Sequence, residues 1–358
     1  MIWQNRLTQL LGIQYPFIQA PMLGVTSPEM VASISNLGGL GSLPVGGLSP
    51  EKTLELIKKT KLLTDRPFAV NLFAHDIPAI NISIAEEMAQ FLKRLGSDHH
   101  LDFSNSQIDA LKFHSYTEQI QILLDEQIPI VSFTFGVLTD EIIATFKARG
   151  VVLIGTATCV KEAEFLEKKG MDAITAQGIE AGGHRGTFLT SSDQSIPQIG
   201  SMSLIPQIAD HVSIPVLASG GIYDGRTIKA SLILGAEGVQ IGSAFITSQE
   251  SLAIAAYKAS LQNALDTDSV LTRSFSGRWA RGLKNQFMAE MDAEVGRSGM
   301  IIPDYPIQNS LTAVLRSEAQ KKNNAQFTNL WAGQSASQVQ VKSSGAIFND
   351  LIQQTERL

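Results

Sequence analysis

A single cysteine, Cys159, in 358 residues leaves no internal disulfide and no cysteine-based metal cluster. Basic runs are equally scarce. Lys58-Lys59-Thr60-Lys61 and Lys321-Lys322 are short and read as solvated helix faces. The net charge is −6, and nucleic acid is excluded as a partner because neutralising phosphates takes clustered Lys and Arg. No run approaches the ~18 apolar residues of a membrane span. The amino terminus, Met1-Ile2-Trp3-Gln4-Asn5-Arg6, lacks the charged-then-apolar pattern of a secretory signal. A soluble cytoplasmic protein is the expectation. Gly-x-Ser-x-Gly, the Walker pattern and a Gly-x-Gly-x-x-Gly after the first strand are all missing, which removes the common hydrolase, P-loop and dinucleotide signatures.

What is present is a core. The chain is 44% hydrophobic and 17% charged, enough for one large α/β domain with additions or for two domains. Eight short apolar runs recur: Phe17–Ala20, Leu40–Leu43, Phe68–Leu72, Ile128–Phe133, Val151–Ile154, Ala173–Ala176, Ile214–Ala218 and Gly238–Ile241. They are near-continuously apolar, as parallel strands buried on both faces must be. Helical stretches lie between them. Ser27-Pro28-Glu29 and Ser49-Pro50-Glu51 are helix starts, a capping Ser followed by Pro at the first helical position. Eight β-then-α units predict a (β/α)₈ TIM barrel rather than an open doubly wound sheet.

Two segments break the rhythm. Residues 75–125 are too long for a plain connection and predict a helical insertion after the third strand. Everything after Phe245 reads as mostly helical, interrupted by the Gly/Arg-rich stretch Ser274–Gly282. The expected organisation is a barrel over 1–246, a small helical lid or substrate lobe over 247–312, and carboxyl-terminal helices over 313–358 packing back on the barrel.

Strand seven runs into Ser219-Gly220-Gly221 and strand eight into Gly242-Ser243. Glycines there let backbone amides approach a ligand, a following helix adds its positive amino end, and in barrels this pair of loops is the common phosphate site. No Asp or Glu stands at the usual distance to hold an adenine ribose, so a mononucleotide fits better than NAD. A flavin mononucleotide would lie across the mouth, over Pro21, Met22, Asn71, the segment Phe133–Gly136 and Gln177. Asn71 and Gln177 could hydrogen-bond the polar edge of its ring.

One of the six histidines, His184, stands in the frame Gln177-Gly178-Ile179-Glu180-Ala181-Gly182-Gly183-His184-Arg185-Gly186, at the carboxyl end of strand six. It could accept a proton, stabilise an anion as a cation, or bond backbone; the surrounding glycines suit close ligand approach and favour function. Glu180 could orient the loop or serve packing, and Arg185 could face solvent or phosphate. His75 could reach the mouth. His99, His100 and His114 lack ligand spacing, so no metal is expected. Cys159 reads as a small buried residue at a helix start.

These stretches, with Ile18-Gln19-Ala20-Pro21-Met22, Asn71-Leu72-Phe73, Phe133-Thr134-Phe135-Gly136, Ala218–Ile222, Gln240-Ile241-Gly242-Ser243 and Leu330-Trp331-Ala332-Gly333-Gln334, resemble the nitronate monooxygenase family, formerly called 2-nitropropane dioxygenases, over nearly the whole chain. The resemblance implies an FMN enzyme that oxidises alkyl nitronates, such as propionate 3-nitronate, with O₂ to carbonyl compounds and nitrite, a detoxification. Neither metal nor nicotinamide would be needed. It makes His184 the catalytic base. It assigns FMN to Pro21, Met22, Asn71, Gln177, Gly182, Gly183, Ser219, Gly220, Gly221, Gln240, Ile241, Gly242 and Ser243. Ser243 stands where the family often has Thr, which keeps the hydroxyl. A related flavin-dependent enoyl-acyl-carrier-protein reductase shares the barrel and a similar Gly-Gly-His loop but needs NAD(P)H; His184-Arg185-Gly186 and the long carboxyl-terminal extension favour the monooxygenase. Substrate and O₂ are the expected partners, and the oligomeric state stays open, a homodimer included.

Overall fold

The computed structural model describes residues 2–102, 108, 111–189 and 196–358. All eight apolar runs form parallel strands: β1 Phe17–Gln19, β2 Gly41–Pro44, β3 Phe68–Phe73, β4 Ile130–Thr134, β5 Val152–Ala157, β6 Ala173–Gln177, β8 Val216–Ser219 and β9 Gly238–Ile241. A two-residue strand, β7 (Gly183–His184), lies outside the barrel. The barrel order is β1-β9-β8-β6-β5-β4-β3-β2. The circle closes between β1 and β2, where the Gln19 N–H bonds the Leu40 carbonyl at 2.9 Å and the Leu40 N–H bonds Phe17 at 3.0 Å. This is the (β/α)₈ TIM barrel read from the sequence.

The helix starts follow their chemistry. In α2 (Pro28–Asn36) and α3 (Pro50–Lys61) the hydroxyls of Ser27 and Ser49 accept from the N–H groups of Met30 and Lys52, and Pro occupies the first turn. Five further helices cover the barrel in turn: α5 Thr117–Asp125, α6 Asp140–Ala148, α7 Val160–Lys168, α8 Ser201–Ala209 and α9 Gly225–Ile233. The last helix of the chain, α14 (Ser344–Glu356), packs between α9 and α2 and completes the ring. Its Phe348 and Ile352 share a core with Phe17, Met30 and Ile34.

The two irregular segments build one body. The insertion supplies α4 (Ile82–Asp98). The segment after the barrel supplies α10 (Ala255–Gln262), a hairpin of β10 (Ser269–Thr272) and β11 (Ala280–Leu283), α11 (Gln286–Ser298), α12 (Ile307–Leu311) and α13 (Ala313–Lys321). Met88, Phe91 and Leu92 of α4 pack on Phe275, Phe287, Met291, Leu311 and Leu315 in a second core, distinct from the barrel's. Burying each such side chain contributes about 1.5–3 kcal/mol. Residues 247–312 thus contain a β-hairpin as well as helices, and α13 packs in this second core while only α14 returns to the barrel. The hairpin pairs with β7, placing Ala280 opposite His184 and Arg281 opposite Gly183. Val270, Leu271 and Thr272 of β10 are too few to show a strand period in the sequence.

Candidate active site

Strands β1, β3, β6, β8 and β9 open at their carboxyl ends into a cavity of about 410 Å³, closed on its far side by the second body. Ala20, Pro21, Met22, Asn71, Gln177, Gly182, Gly183, His184, Ser219, Gly220, Gly221, Gln240, Gly242 and Ser243 all line it. The size lies in the range of small-molecule and cofactor sites. Ile241 does not line it. Side chains alternate along a strand, so its neighbours face the barrel mouth while Ile241 faces outward into the core under the helices. Only its carbonyl is near, accepting from the Ala20 N–H at 2.8 Å.

The β8 and β9 exits form one end of the cavity. Gly220 holds φ +113°, and a Cβ there would stand 3.0 Å from the Ala181 nitrogen, so the loop needs glycine. Among the described residues the N–H groups of Gly220, Gly221, Gly242 and Ser243 find no protein acceptor; all four residues are half-buried and line the cavity. Unpaired backbone N–H groups of this kind suit an anion. The first turn of α9 is already capped by Asp224, with its carboxylate on the Thr227 N–H at 2.9 Å. After β9 there is only the single 3₁₀ turn Ser243–Phe245. The amino end of α8 is taken too, by Glu180, whose carboxylate accepts from the Ser201 N–H at 2.8 Å and the Ser201 hydroxyl at 3.0 Å. Glu180 therefore braces the loop beside Gly220. The Ser243 hydroxyl accepts from the Gly333 N–H at 2.9 Å, tying the β9 exit to the carboxyl-terminal strap.

His184 stands at the other end. Its imidazole is edged by Phe135, Tyr305 and Trp331, with ring centres 5.4, 5.7 and 5.4 Å away, and its Nε2 lies 2.8 Å from the Ser276 hydroxyl. Burial first, then the charges of Arg278, Arg316 and His75, push its pKa down to about 3, so it is neutral at physiological pH. Gln177 positions it. Its amide Nε2 donates to the His184 carbonyl at 2.9 Å and its Oε1 accepts from the Gly186 N–H at 2.8 Å. The oxygen of Gln177 thus serves the loop, leaving one amide N–H for a ligand. Asn71 gives its amide to the Ser132 hydroxyl at 2.9 Å.

Four arginines surround this end. Arg185 is fully buried and donates to the carbonyls of Gly178 at 2.6 Å and Gln177 at 3.1 Å, so it faces neither solvent nor phosphate. Arg281 donates to the Ile179 carbonyl at 2.8 Å. Arg278 bonds the carbonyls of Arg185 and Thr187 and lies 4.2 Å over the Phe135 ring. Arg316, which lines the cavity, donates to Asn309, Thr312 and Asn329. Every acceptor is a neutral oxygen. Burial lowers the pKa of Arg185, Arg278 and Arg316 to about 10, still charged at neutral pH. Glu162 and Glu180 lie near enough to offset part of the charge of Arg185, Arg278 and Arg281, whereas half-buried Arg316 feels only Tyr305 and favours an anion. Phe135, which carries Arg278, sits at φ +79°, strained for an aromatic residue and held there by the packing.

The remaining candidates fall elsewhere or change meaning. His75 reaches the mouth, 4.9 Å from Tyr305, and burial lowers its pKa. His114 also lines the cavity, paired with Glu118 at 2.9 Å; His99 lies in the second body beside Glu290. Among the described residues no three His, Cys, Asp or Glu side chains group as metal ligands. Cys159 precedes α7, away from the cavity, with its thiol pKa raised by burial.

The sequence profile of the nitronate monooxygenase family matches residues 4–354. The chain belongs to that family. Probable nitronate monooxygenases of Staphylococcus saprophyticus and Staphylococcus aureus are 44% and 43% identical to it, each over 99% of this chain and 98% of the relative. Among solved structures it is similar to a nitroalkane oxidase from Streptomyces ansochromogenes, with TM-score 0.88, 36% identity, and 99% and 98% of the two chains covered. FabK from Thermotoga maritima follows with TM-score 0.76 and 25% identity over 99% and 96%. As a member of the nitronate monooxygenase family the chain is an oxidoreductase. No helix among the described residues is long and apolar enough to cross a membrane.

Beside the family motifs, sequence reading passed over Ser276, Tyr305, Arg316 and Asn329 at this end of the cavity, and the Glu162 carboxylate, which lies outside the cavity lining and holds the loop after Gly186. Glu162 is fully buried and accepts from the N–H groups of Phe188 at 2.7 Å and Leu189 at 3.2 Å. The available signal was Glu162 on the inward face of α7, beside Ala163 and Leu166. Nothing local marked Tyr305 or Arg316.

Proposed function

We propose that this enzyme oxidises alkyl nitronates, propionate 3-nitronate among them, with O₂, yielding carbonyl compounds and nitrite, and that it does so with FMN. One observation carries the reading: a neutral, half-buried imidazole and cavity-facing Arg316 share one end of a cavity whose other end is a nest of unpaired N–H groups. A nitronate is an anion, and the arginine-rich end favours it. The nest and the glycine-only approach at Gly220 fit a phosphate ester. Gly220, Gly221, Gly242 and Ser243 would hold the FMN phosphate, while Asn71 and the free amide N–H of Gln177 face the place for a polar ring edge. A bound FMN supplies the two-electron acceptor that connects the substrate to O₂. The protein's part is binding, orientation and proton handling. His184 takes the carbon-bound proton when the substrate arrives as a neutral nitroalkane; an already ionised nitronate asks only for charge stabilisation. Because a base held near pKa 3 is weak, the resting site suits the preformed nitronate, and an anion next to Arg316 would raise His184 toward useful basicity. The body of α4, the hairpin and α11–α13 serves as a lid. We place the enzyme in the cytoplasm on the strength of its one cysteine.

The test is spectral and kinetic. Purified protein should be yellow, release FMN on denaturation, and consume O₂ with propionate 3-nitronate without NAD(P)H. Colourless protein that cannot be reconstituted with FMN would sink the reading. Rapid anaerobic bleaching by NAD(P)H, with no turnover of nitronates, would favour the enoyl-acyl-carrier-protein reductase instead.

A further inference from the structure

The loop between β10 and β11 holds a motif whose purpose the family reading leaves open, Ser274–Gly282. Its Ser276 is buried, and its hydroxyl has three neighbours: the Arg278 carbonyl at 3.1 Å, the Arg278 N–H at 3.4 Å and His184 Nε2 at 2.8 Å. A hydroxyl has one proton. Among the described residues no other donor reaches the Arg278 carbonyl, so sending the proton to His184 would leave that carbonyl unpaired. Sending it to the carbonyl satisfies all three groups, provided His184 carries its own proton on Nε2.

We propose that Ser276 sets the tautomer of His184, accepting a hydrogen bond from Nε2–H and so reserving Nδ1 as the proton-accepting nitrogen of the site. Ser276 is then a positioning residue, acting through the imidazole. Among the described residues nothing else in the protein hydrogen-bonds that ring, so the assignment rests on this one contact. The same hairpin holds the backbone of His184 through the Ala280 pairing, so ring and chain are oriented by one element. When Nδ1 receives a proton from a substrate carbon, the Nε2–H bond to Ser276 becomes charge-assisted and no hydroxyl has to turn.

The inference rests on His184 being the base, and its test reads the ring directly. Nitrogen-15 shifts of the His184 ring in the full-length, FMN-loaded protein, assigned by loss of the signal in His184→Asn, should show Nε2 protonated and Nδ1 bare. Ser276→Ala should mix the two tautomers and slow turnover of a neutral nitroalkane by about tenfold or more, a part of what general-base catalysis supplies, with a smaller effect on the preformed nitronate. Ser276→Thr keeps the hydroxyl and should keep both readouts. A proton on Nδ1 in the wild-type ring, or shifts unchanged in Ser276→Ala, overturns the proposal. Absence of turnover on any nitro compound would instead remove the functional reading, since the shifts are measured without substrate.

Discussion

At the scale of single residues, the chemistry of His184 is set by what surrounds it. Replacing it with Asn should cost roughly a hundredfold or more in kcat/KM on neutral nitroalkanes, which need a proton removed, and much less on nitronates; comparing the two substrate forms at one pH checks this. Its low pKa also has a stability consequence with a definite sign. The folded ring titrates near 3 and the unfolded ring near ~6.5. As pH falls between those values the unfolded chain binds a proton that the folded one refuses, so stability is lost on acidification and is fully present above the upper value. The slope from this one group approaches about 1.4 kcal/mol per pH unit. In His184→Asn that contribution disappears, and the acid limb of Tm against pH should be shallower. Arg316 differs from the other three arginines in lining the cavity while its bonds go to helix-end and side-chain oxygens. Arg316→Met should raise KM for nitronates several-fold with a smaller change in kcat; steady-state kinetics at two salt concentrations would show whether the lost term is electrostatic.

At the scale of elements, two short pieces of chain control the site. The β8 exit works because Gly220 occupies a backbone region closed to other residues and presses against Ala181. Gly220→Val should weaken FMN retention, seen as cofactor lost on gel filtration, while circular dichroism of the barrel stays close to wild type. The β10–β11 hairpin is held at the site by its pairing with β7 and by Phe275, just before Ser276, which is stacked on Phe287 of α11 with ring centres 4.4 Å apart. Both rings are fully buried in the second core. Phe287→Ala should therefore cost about 3–5 kcal/mol locally and loosen the 273–279 loop. Hydrogen exchange should rise in the hairpin and α11 while the barrel strands stay protected.

At the scale of the whole molecule, the second body is assembled from two stretches separated by most of the barrel. α4 enters after β3, and α11–α13 enter after β9, yet Phe91, Phe287 and Leu315 share one core. The barrel itself was legible in the sequence because its signals are local: eight apolar runs, capping serines followed by proline, glycines at the turns. The mouth residues followed from the same rule, since a residue just past a parallel strand lies at the carboxyl end. Ile241 marks the limit of that rule, because position near a strand end does not say which face a side chain takes. Ser276, Tyr305 and Arg316 lie 92, 121 and 132 positions beyond His184 (from 184 to 276, 305 and 316), and no periodicity connects loops so distant.

The order of residues alone determined the closed cylinder, the glycine-lined exits and the histidine at the end of the sixth strand, because hydrogen bonding and burial over a few neighbours dictate them. Only tertiary packing decided the protonation of that histidine. Its low pKa comes first from burial and then from Arg278 and Arg316, brought in by the second body, and its serine partner comes from a hairpin tip. Desolvation and Coulomb interaction depend on distance through space, which the linear chain does not encode.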